Sequence, residues 1–131
     1  MLGERMDEDD LGVVVAIVED DDALRESAAV LLAAHGFRVR SYDRAEAFLA
    51  DPAALEGLAC LLCDQLLPGL SGVGLLCRLA EHGRAPPSIL MSGRLTDEVA
   101  AAARAAGARA VLEKPVPPLD LVAQVRAATA A

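Results

Sequence analysis

Polar residues stand at the ends of four short apolar segments of the sequence, where they could do chemistry together. Glu19 and Asp20 follow one segment and Asp64 another, Ser92 ends a third, and Lys114 follows a fourth. If these segments are parallel strands, their carboxyl ends meet at one edge of a sheet, which is where ligands bind in open α/β folds. The pattern predicts one site built from these five residues.

The three carboxylates of this predicted site belong to Glu19, Asp20 and Asp64. In a partly buried cleft they would repel one another unless a positive charge lay between them. Mg²⁺ typically takes one or two carboxylates and completes its octahedral shell with water and phosphate oxygens. We therefore expect Mg²⁺ at this site.

Lys114 is the one lysine among the 12 Lys and Arg residues of the chain. A lysine at a strand end can reach along the rim of a sheet and neutralise carboxylate or phosphoryl oxygens as a compact point charge. The bulkier planar guanidinium of arginine would need a different pocket. The position and type of Lys114 therefore favour a role in the site over a solvent-facing lysine.

The elements that must position these residues alternate along the chain between short apolar segments and segments of helical periodicity. The predicted strands cover 13–18, 37–42, 59–63, 88–91 and 108–113. The predicted helices cover about 22–34, 45–50, 72–82, 97–106 and 119–128.

This alternation predicts a doubly wound α/β fold, with a five-stranded parallel sheet covered by helices on both faces. Most of the strands are continuously apolar, as expected of strands buried on both sides. The segment 37–42, FRVRSY, alternates apolar and polar residues instead, which is typical of an edge strand.

Length and composition predict one domain and argue against nucleic-acid and membrane partners. The chain has 131 residues, a net charge of -8 and 2% aromatic residues, which argues against direct nucleic-acid binding because that affinity comes largely from clustered cations. No apolar run approaches a membrane span, and the acidic N-terminus does not resemble a signal peptide. We expect a cytoplasmic protein, with residues 1–12 as a disordered acidic arm and 13–131 as the folded domain.

Several polar residues have a simpler structural interpretation. Asp21 and Asp22 are expected to cap the first helix, because negative side chains near a helix N-terminus are stabilising. Ser92 could cap the turn that follows it, and Asp64 could merely end a strand. Cys60 and Cys63 form a C-x-x-C pair, but they lie inside an apolar strand and not at a turn before a helix, so we interpret them as core residues.

The motifs IVEDDD, LLCDQLLPGLSG, ILMSG and LEKP, in this order and at strand ends, resemble those of the receiver domain of two-component response regulators. The resemblance covers roughly residues 13–129 and implies the flavodoxin-like strand order 2-1-3-4-5. It also implies a switch that accepts a phosphoryl group from a histidine kinase or phosphotransfer protein and then changes the surface read by a downstream protein or output domain. Such a chain is a phosphoacceptor that assists its own phosphorylation and dephosphorylation, and not an enzyme acting on a separate substrate.

The resemblance also implies roles for individual residues. Asp64 would be the phosphoacceptor. Mg²⁺ would be held by the Asp20 and Asp64 carboxylates, the backbone carbonyl of Leu66 and, through water, Glu19. Ser92 would hydrogen-bond the phosphoryl group, and Lys114 would pair with the acceptor and then with the phosphoryl oxygens.

One departure and two alternatives qualify this interpretation. An aromatic residue that often moves with the switch in this family is replaced here by Val111, so the chain lacks that rotating side chain for coupling to the outer face. The chain could be a receiver-like interaction module that works without phosphorylation. An aspartyl phosphatase would normally place a second carboxylate two residues after the nucleophile, where this chain has Leu66. Pairing of two copies through the fourth and fifth helices stays open.

Overall fold

The computed structural model describes residues 12–130, so most of the predicted acidic arm lies outside the described residues. Five strands alternate with five helices in this part of the chain. The strands are β1 Val14–Val18, β2 Arg38–Tyr42, β3 Leu58–Asp64, β4 Ser88–Ser92 and β5 Ala108–Glu113. The helices are α1 Asp22–Ala34, α2 Ala45–Ala50, α3 Gly72–Glu81, α4 Asp97–Ala105 and α5 Pro118–Thr129.

The strands form one parallel sheet in the order β2-β1-β3-β4-β5, which confirms the predicted doubly wound topology. β1, β3 and β4 occupy its centre, and all five residues of β1 and of β4 are buried. β2 lies at one edge with exposed and half-buried residues, as its alternating sequence predicts. β5 forms the other edge and is half-buried.

A layer of helices packs on each face of the sheet. One core contains Leu32 of α1 and Val125 of α5 against Ile17, with other side chains of β1, β3 and β4. The other contains Phe48 of α2 and Leu75 of α3, with residues of α4 and the opposite side chains of the same strands. Both faces of the central strands are therefore buried, which explains their continuously apolar sequence.

Side-chain caps fix the start of three helices. Asp21 accepts a hydrogen bond from the backbone N–H of Leu24, Ser71 caps α3, and Thr96 caps α4. These caps satisfy backbone donors that have no partner within the helix. Within residues 12–130, no helix has the length and apolar character needed to cross a bilayer.

Candidate functional site

The parallel strands bring the predicted site residues to one rim of the sheet. Asp64 ends β3 beside Met91 of β4, and Glu19 follows β1 directly. Ser92 ends β4 and pairs with Glu113 at the end of β5, so Lys114 follows at the same level. The backbone N–H of Lys114 donates to the Ser92 carbonyl at 2.9 Å, which fixes where the lysine leaves the sheet.

Glu19, Asp20 and Asp64 form a carboxylate cluster at this rim. Each offers an oxygen, and these oxygens lie within 4.8 Å of one another. Glu19 and Asp64 are only 3% and 4% exposed, whereas Asp20 is exposed to solvent. Opposite oxygens around an octahedral Mg²⁺ are about 4.2 Å apart, because each lies about 2.1 Å from the ion. The hard oxygen donors therefore suit Mg²⁺, and their separations of up to 4.8 Å are close to this distance.

Lys114 supplies the positive charge inside this cluster. Its Nζ donates to Glu19 Oε1 at 2.7 Å and lies 3.2 Å from Asp64 Oδ1. The lysine side chain is 20% exposed, so most of it is shielded from solvent. The peptide bond between Lys114 and Pro115 is cis. The one lysine of the chain thus bridges two buried acids, and this geometry accounts for its position.

The charges in the site are unbalanced, since three carboxylates face one ammonium. Burial raises the pKa of Asp64, and the neighbouring Glu19 carboxylate raises it further, while Lys114 offsets only part of the increase. Burial by itself would lower the pKa of Lys114, but its hydrogen bond to Glu19 and the charge of Asp64 outweigh this effect and the pKa is raised. The lysine stays charged, and the site favours a further cation.

The acidic run at residues 19–22 divides into different roles. Glu19 Oε2 accepts the backbone N–H of Asp21 at 3.2 Å, and the Glu19 carbonyl accepts Arg25 Nη1 at 2.8 Å. Asp21 is the cap of α1, and exposed Asp22 pairs with Arg25 at 2.6 Å. Glu19 and Asp20 therefore belong to the site, whereas Asp21 and Asp22 stabilise the helix start as predicted.

Two predicted site residues lie at the rim without joining the ionic cluster. Ser92 is buried at the end of β4, but its hydroxyl donates to the Arg94 carbonyl at 3.0 Å and accepts the Arg94 N–H at 3.3 Å. Its hydroxyl is therefore engaged in its own loop. Leu66 follows Asp64 by two residues with an 80% exposed side chain. Among the described residues its carbonyl accepts no backbone hydrogen bond.

Residues that hold the site's loops were not identified from the sequence. The Gln65 side chain accepts the Val73 N–H at 2.8 Å, and Glu46 accepts the Leu70 N–H at 2.8 Å. Glu113 accepts the Leu95 N–H at 3.4 Å and so connects β5 to the loop after Ser92. The Glu46 and Glu113 contacts join residues 24 and 18 positions apart, and no spacing pattern marks them.

A cavity of about 490 Å³ adjoins the ionic cluster between α1 and α5. Glu19 and Lys114 border it at one end, and its remaining lining is mainly apolar, including Leu24, Met91 and Leu121. Leu24 is 49% exposed at this surface. The site therefore has an apolar surface beside its charged centre.

The C-x-x-C pair takes no part in the site. Cys60 and Cys63 are buried free thiols in β3, and burial raises the pKa of each to about 12. A thiol with such a pKa is a poor nucleophile and metal ligand. The prediction that these cysteines belong to the core is confirmed.

A family model described as the response regulator receiver domain matches residues 15–126. The transcriptional regulatory protein FixJ of Azorhizobium caulinodans is 38% identical over 113 residues, covering 86% of this chain and 53% of the relative. The response regulator protein TmoT of Ectopseudomonas mendocina is 36% identical over 115 residues, covering 88% and 52%. The chain spans about half the length of the curated relatives it matches.

Solved structures share the fold. The crystal structure of FixJ-N superposes with a TM-score of 0.82 and 33% identity, covering 90% of this chain and 94% of that one. The BeF3-activated receiver domain of DrrB superposes with a TM-score of 0.79 and 28% identity, covering 88% and 96%. The similarity thus extends over nearly all of the described residues.

Proposed function

The chain belongs to the response regulator receiver domain family of two-component systems, and from that premise we propose that Asp64 accepts a phosphoryl group and thereby switches the chain's interaction surface. The observation that carries the proposal is the placement of Asp64. It is a buried carboxylate, 4% exposed, between Glu19, Asp20 and the Nζ of Lys114. This arrangement presents a nucleophile, a set of oxygen ligands and a cation to a single phosphoryl group.

In the proposed step, an Asp64 carboxylate oxygen attacks phosphorus in line with the leaving group. With a phosphohistidine donor, the new O–P bond forms as the N–P bond breaks, and the imidazole nitrogen keeps the electron pair and later takes a proton. Lys114 Nζ already lies 3.2 Å from Asp64 Oδ1. A small shift moves it onto the phosphoryl oxygens, where a preorganised cation stabilises developing charge.

Asp20 and Asp64 would hold Mg²⁺ through their carboxylates, with Leu66 contributing its carbonyl and Glu19 acting through water. Bound there, Mg²⁺ would offset negative charge on the phosphoryl oxygens. The observation that supports this part is the excess of carboxylates over cations. Glu19, Asp20 and Asp64 lie together, and among the described residues Lys114 is the one ammonium in contact with the cluster, through Glu19 and Asp64.

The response to phosphorylation would begin at Ser92. A phosphoryl group adds strong acceptor oxygens, and the Ser92 hydroxyl can bond to them by leaving the Arg94 carbonyl. The loop between β4 and α4 would then move, together with the Glu113 contact to Leu95. Val111 packs with the core on the α3 and α4 face, so this hydrogen-bonded contact is our candidate for the coupling in place of an aromatic residue.

The phosphodonor would be a sensor histidine kinase or phosphotransfer protein. Its histidine must approach Asp64, and the apolar cavity between α1 and α5 lies beside that approach. The recipient of the signal would be an output domain or a downstream protein. The chain would act as a phosphoacceptor with self-assisted chemistry and not as an enzyme with a separate substrate. The competing proposal is a receiver-like interaction module without phosphorylation, supported by Val111 at the position of the family's aromatic residue.

The proposal is tested by incubating the protein with Mg²⁺ and acetyl phosphate and recording intact mass and ³¹P NMR spectra. We expect one labile phosphoryl group that requires Mg²⁺, disappears in Asp64→Asn and forms much more slowly in Lys114→Arg. Asp120→Asn, a change at an exposed aspartate of α5, serves as the matched control and should be modified like the original chain. Absence of both phosphoryl uptake and Mg²⁺ binding would leave the interaction module as the function.

A further inference from the structure

The loop between β3 and α3 covers residues 65–71 and follows the phosphoacceptor directly. Gln65 holds both ends of the loop. The Gln65 N–H donates to the Met91 carbonyl at 2.8 Å, and the Gln65 carbonyl accepts the Gly72 N–H at 3.1 Å. Leu67 is buried at 8% exposure, whereas Leu66 is 80% exposed. The side chain of Leu66 therefore provides little anchorage for its own carbonyl.

Glu46 of α2 contacts the middle of this loop. Its Oε2 accepts the Leu70 N–H at 2.8 Å, although the two residues are 24 positions apart. The same carboxylate lies against the α-carbon of Gly69, so closely that a methyl group there would overlap Oε2. Gly69 has a φ of +76°, which favours glycine at this turn. The loop and α2 are therefore in direct contact at Gly69 and Leu70.

We propose that Glu46 is a positioning residue that holds residues 66–70 so that the Leu66 carbonyl faces the carboxylate cluster. This inference rests on the proposed function, since it concerns Mg²⁺ bound by Asp20, Asp64 and Leu66. Gln65 and the buried Leu67 hold the backbone on either side of Leu66. Glu46 holds the far part of the loop through Leu70. Held at these three points, the loop has little freedom to turn the Leu66 carbonyl away.

A charged acceptor suits this role on the surface of the protein. The hydrogen bond from Leu70 is the main cause that lowers the pKa of Glu46, and the nearby Arg44 and Arg78 charges lower it further. The residue is therefore a carboxylate at neutral pH. Hydrogen bonds with an ionised acceptor are shorter and stronger than neutral ones, so a single contact can hold an exposed loop.

The test compares Glu46→Ala and Glu46→Gln with Glu56→Gln, a control at another exposed glutamate. Mg²⁺ affinity is measured by titration calorimetry, and the rate with acetyl phosphate is measured over a range of Mg²⁺ concentrations. We expect Glu46→Ala to raise the Mg²⁺ dissociation constant about tenfold, the lower end of the effect of residues that orient metal ligands. Its rate at saturating Mg²⁺ should stay near that of the original chain, and Glu46→Gln, which keeps an acceptor oxygen, should lose much less affinity.

Amide hydrogen exchange by NMR provides a readout that needs neither Mg²⁺ nor phosphate. The Leu70 amide should exchange faster in Glu46→Ala and stay protected in the control. Gly69→Ala should also weaken Mg²⁺ binding, and combining it with Glu46→Ala should add less than the sum of the two effects, because the overlapping carboxylate is then gone.

The outcomes separate this inference from the proposed function. If the original chain takes up Mg²⁺ and phosphate but Glu46→Ala binds Mg²⁺ with unchanged affinity, the positioning role is wrong and the proposed function stands. A loss of saturating rate without a change in affinity would also refute it. If the original chain binds no Mg²⁺ and accepts no phosphate, both the proposed function and this inference fall.

Discussion

Replacing Lys114 with methionine removes the cation between Glu19 and Asp64 but keeps a side chain of similar length. The lysine Nζ lies 2.7 Å from Glu19 Oε1 and 3.2 Å from Asp64 Oδ1. Without it, two buried carboxylates face each other with no positive charge between them. We expect this variant to be clearly less stable than the original chain in the absence of Mg²⁺.

The magnitude follows from these two distances. At an effective dielectric constant of about 20, the contacts give gross attractions of about 6 and about 5 kcal/mol. Most of this offsets the several kcal/mol that each ion loses on leaving water, and removing one partner of a buried pair typically costs about 3 to 5 kcal/mol. Because the lysine side chain is 20% exposed, we expect the lower end, about 3 kcal/mol.

The loss should depend on pH in a defined direction. The pKa of Lys114 is raised in the folded state, so its contribution is fully present below the pKa of an unfolded lysine and disappears only as pH rises through the folded value. Lys114 therefore stays charged between pH 5 and 8, because this range lies far below the ordinary lysine pKa of about 10.4. The pKa of Asp64 is also raised, so its folded form takes up a proton more readily than its unfolded form as pH falls. In the variant, protonation of Asp64 removes the repulsion that Lys114 offsets in the original chain. The difference in the free energy of unfolding between the two proteins should therefore narrow on acidification.

Urea unfolding followed by far-UV circular dichroism in EDTA measures this difference, since the chain has no tryptophan. Arg84→Met is the control, because Arg84 is exposed and its side chain forms no ion pair within residues 12–130. A loss no larger than that of the control would refute the assignment of Lys114 as the stabilising cation. A loss that stayed constant as the pH fell from 8 through the range in which the folded proteins take up protons would refute the explanation based on Asp64.

Three further predictions follow from buried or crowded groups. Cys77 is the exposed thiol, so a thiol reagent at pH 8 should modify one cysteine rapidly and all three only in denaturant; rapid reaction of a second thiol would contradict the burial of the other two. The pKa of Tyr42 is raised to about 12 by burial and then by its bond to Asp51, so absorbance titration of this one tyrosine should show late ionisation, and Asp51→Asn should bring the transition to lower pH. A methyl group on Gly72 would overlap the Asp64 carbonyl oxygen, so Gly72→Ala should cost about 2 kcal/mol in urea unfolding and slow phosphorylation, whereas a neutral effect would show that the α3 start is free to shift.

The rim of the sheet could be predicted because each of its residues directly follows or ends an apolar strand. The placement of Glu19, Asp64 and Lys114 in one site could be predicted from the rule that parallel strands end at the same edge. The strand order itself came from the resemblance of the motifs and not from periodicity, which does not specify which strands are neighbours. The edge position of β2 followed from its alternating residues.

The loop contacts around the site could not be predicted, because the spacing of residues in the sequence does not indicate which loop atoms meet. The Glu46 bond to Leu70 joins residues 24 apart, and the Glu113 bond to Leu95 joins residues 18 apart. Whether such atoms meet depends on the path of two loops, each fixed by packing elsewhere. The orientation of the Ser92 hydroxyl also depends on its loop, because the sequence permits bonding either to Arg94 or toward the rim.

The position of β5 at the edge of the sheet has a consequence for partial unfolding. The carboxylates of the site stand on β1 and β3, the central strands, whereas the cation that balances them follows β5, which has a neighbour on one side only. Edge elements open at a lower free energy than central ones. An opening that detaches β5 and α5 would withdraw Lys114 and leave Glu19 and Asp64 to repel each other. Such openings should therefore become rarer when a divalent cation, or protonation of Asp64, compensates for the missing lysine.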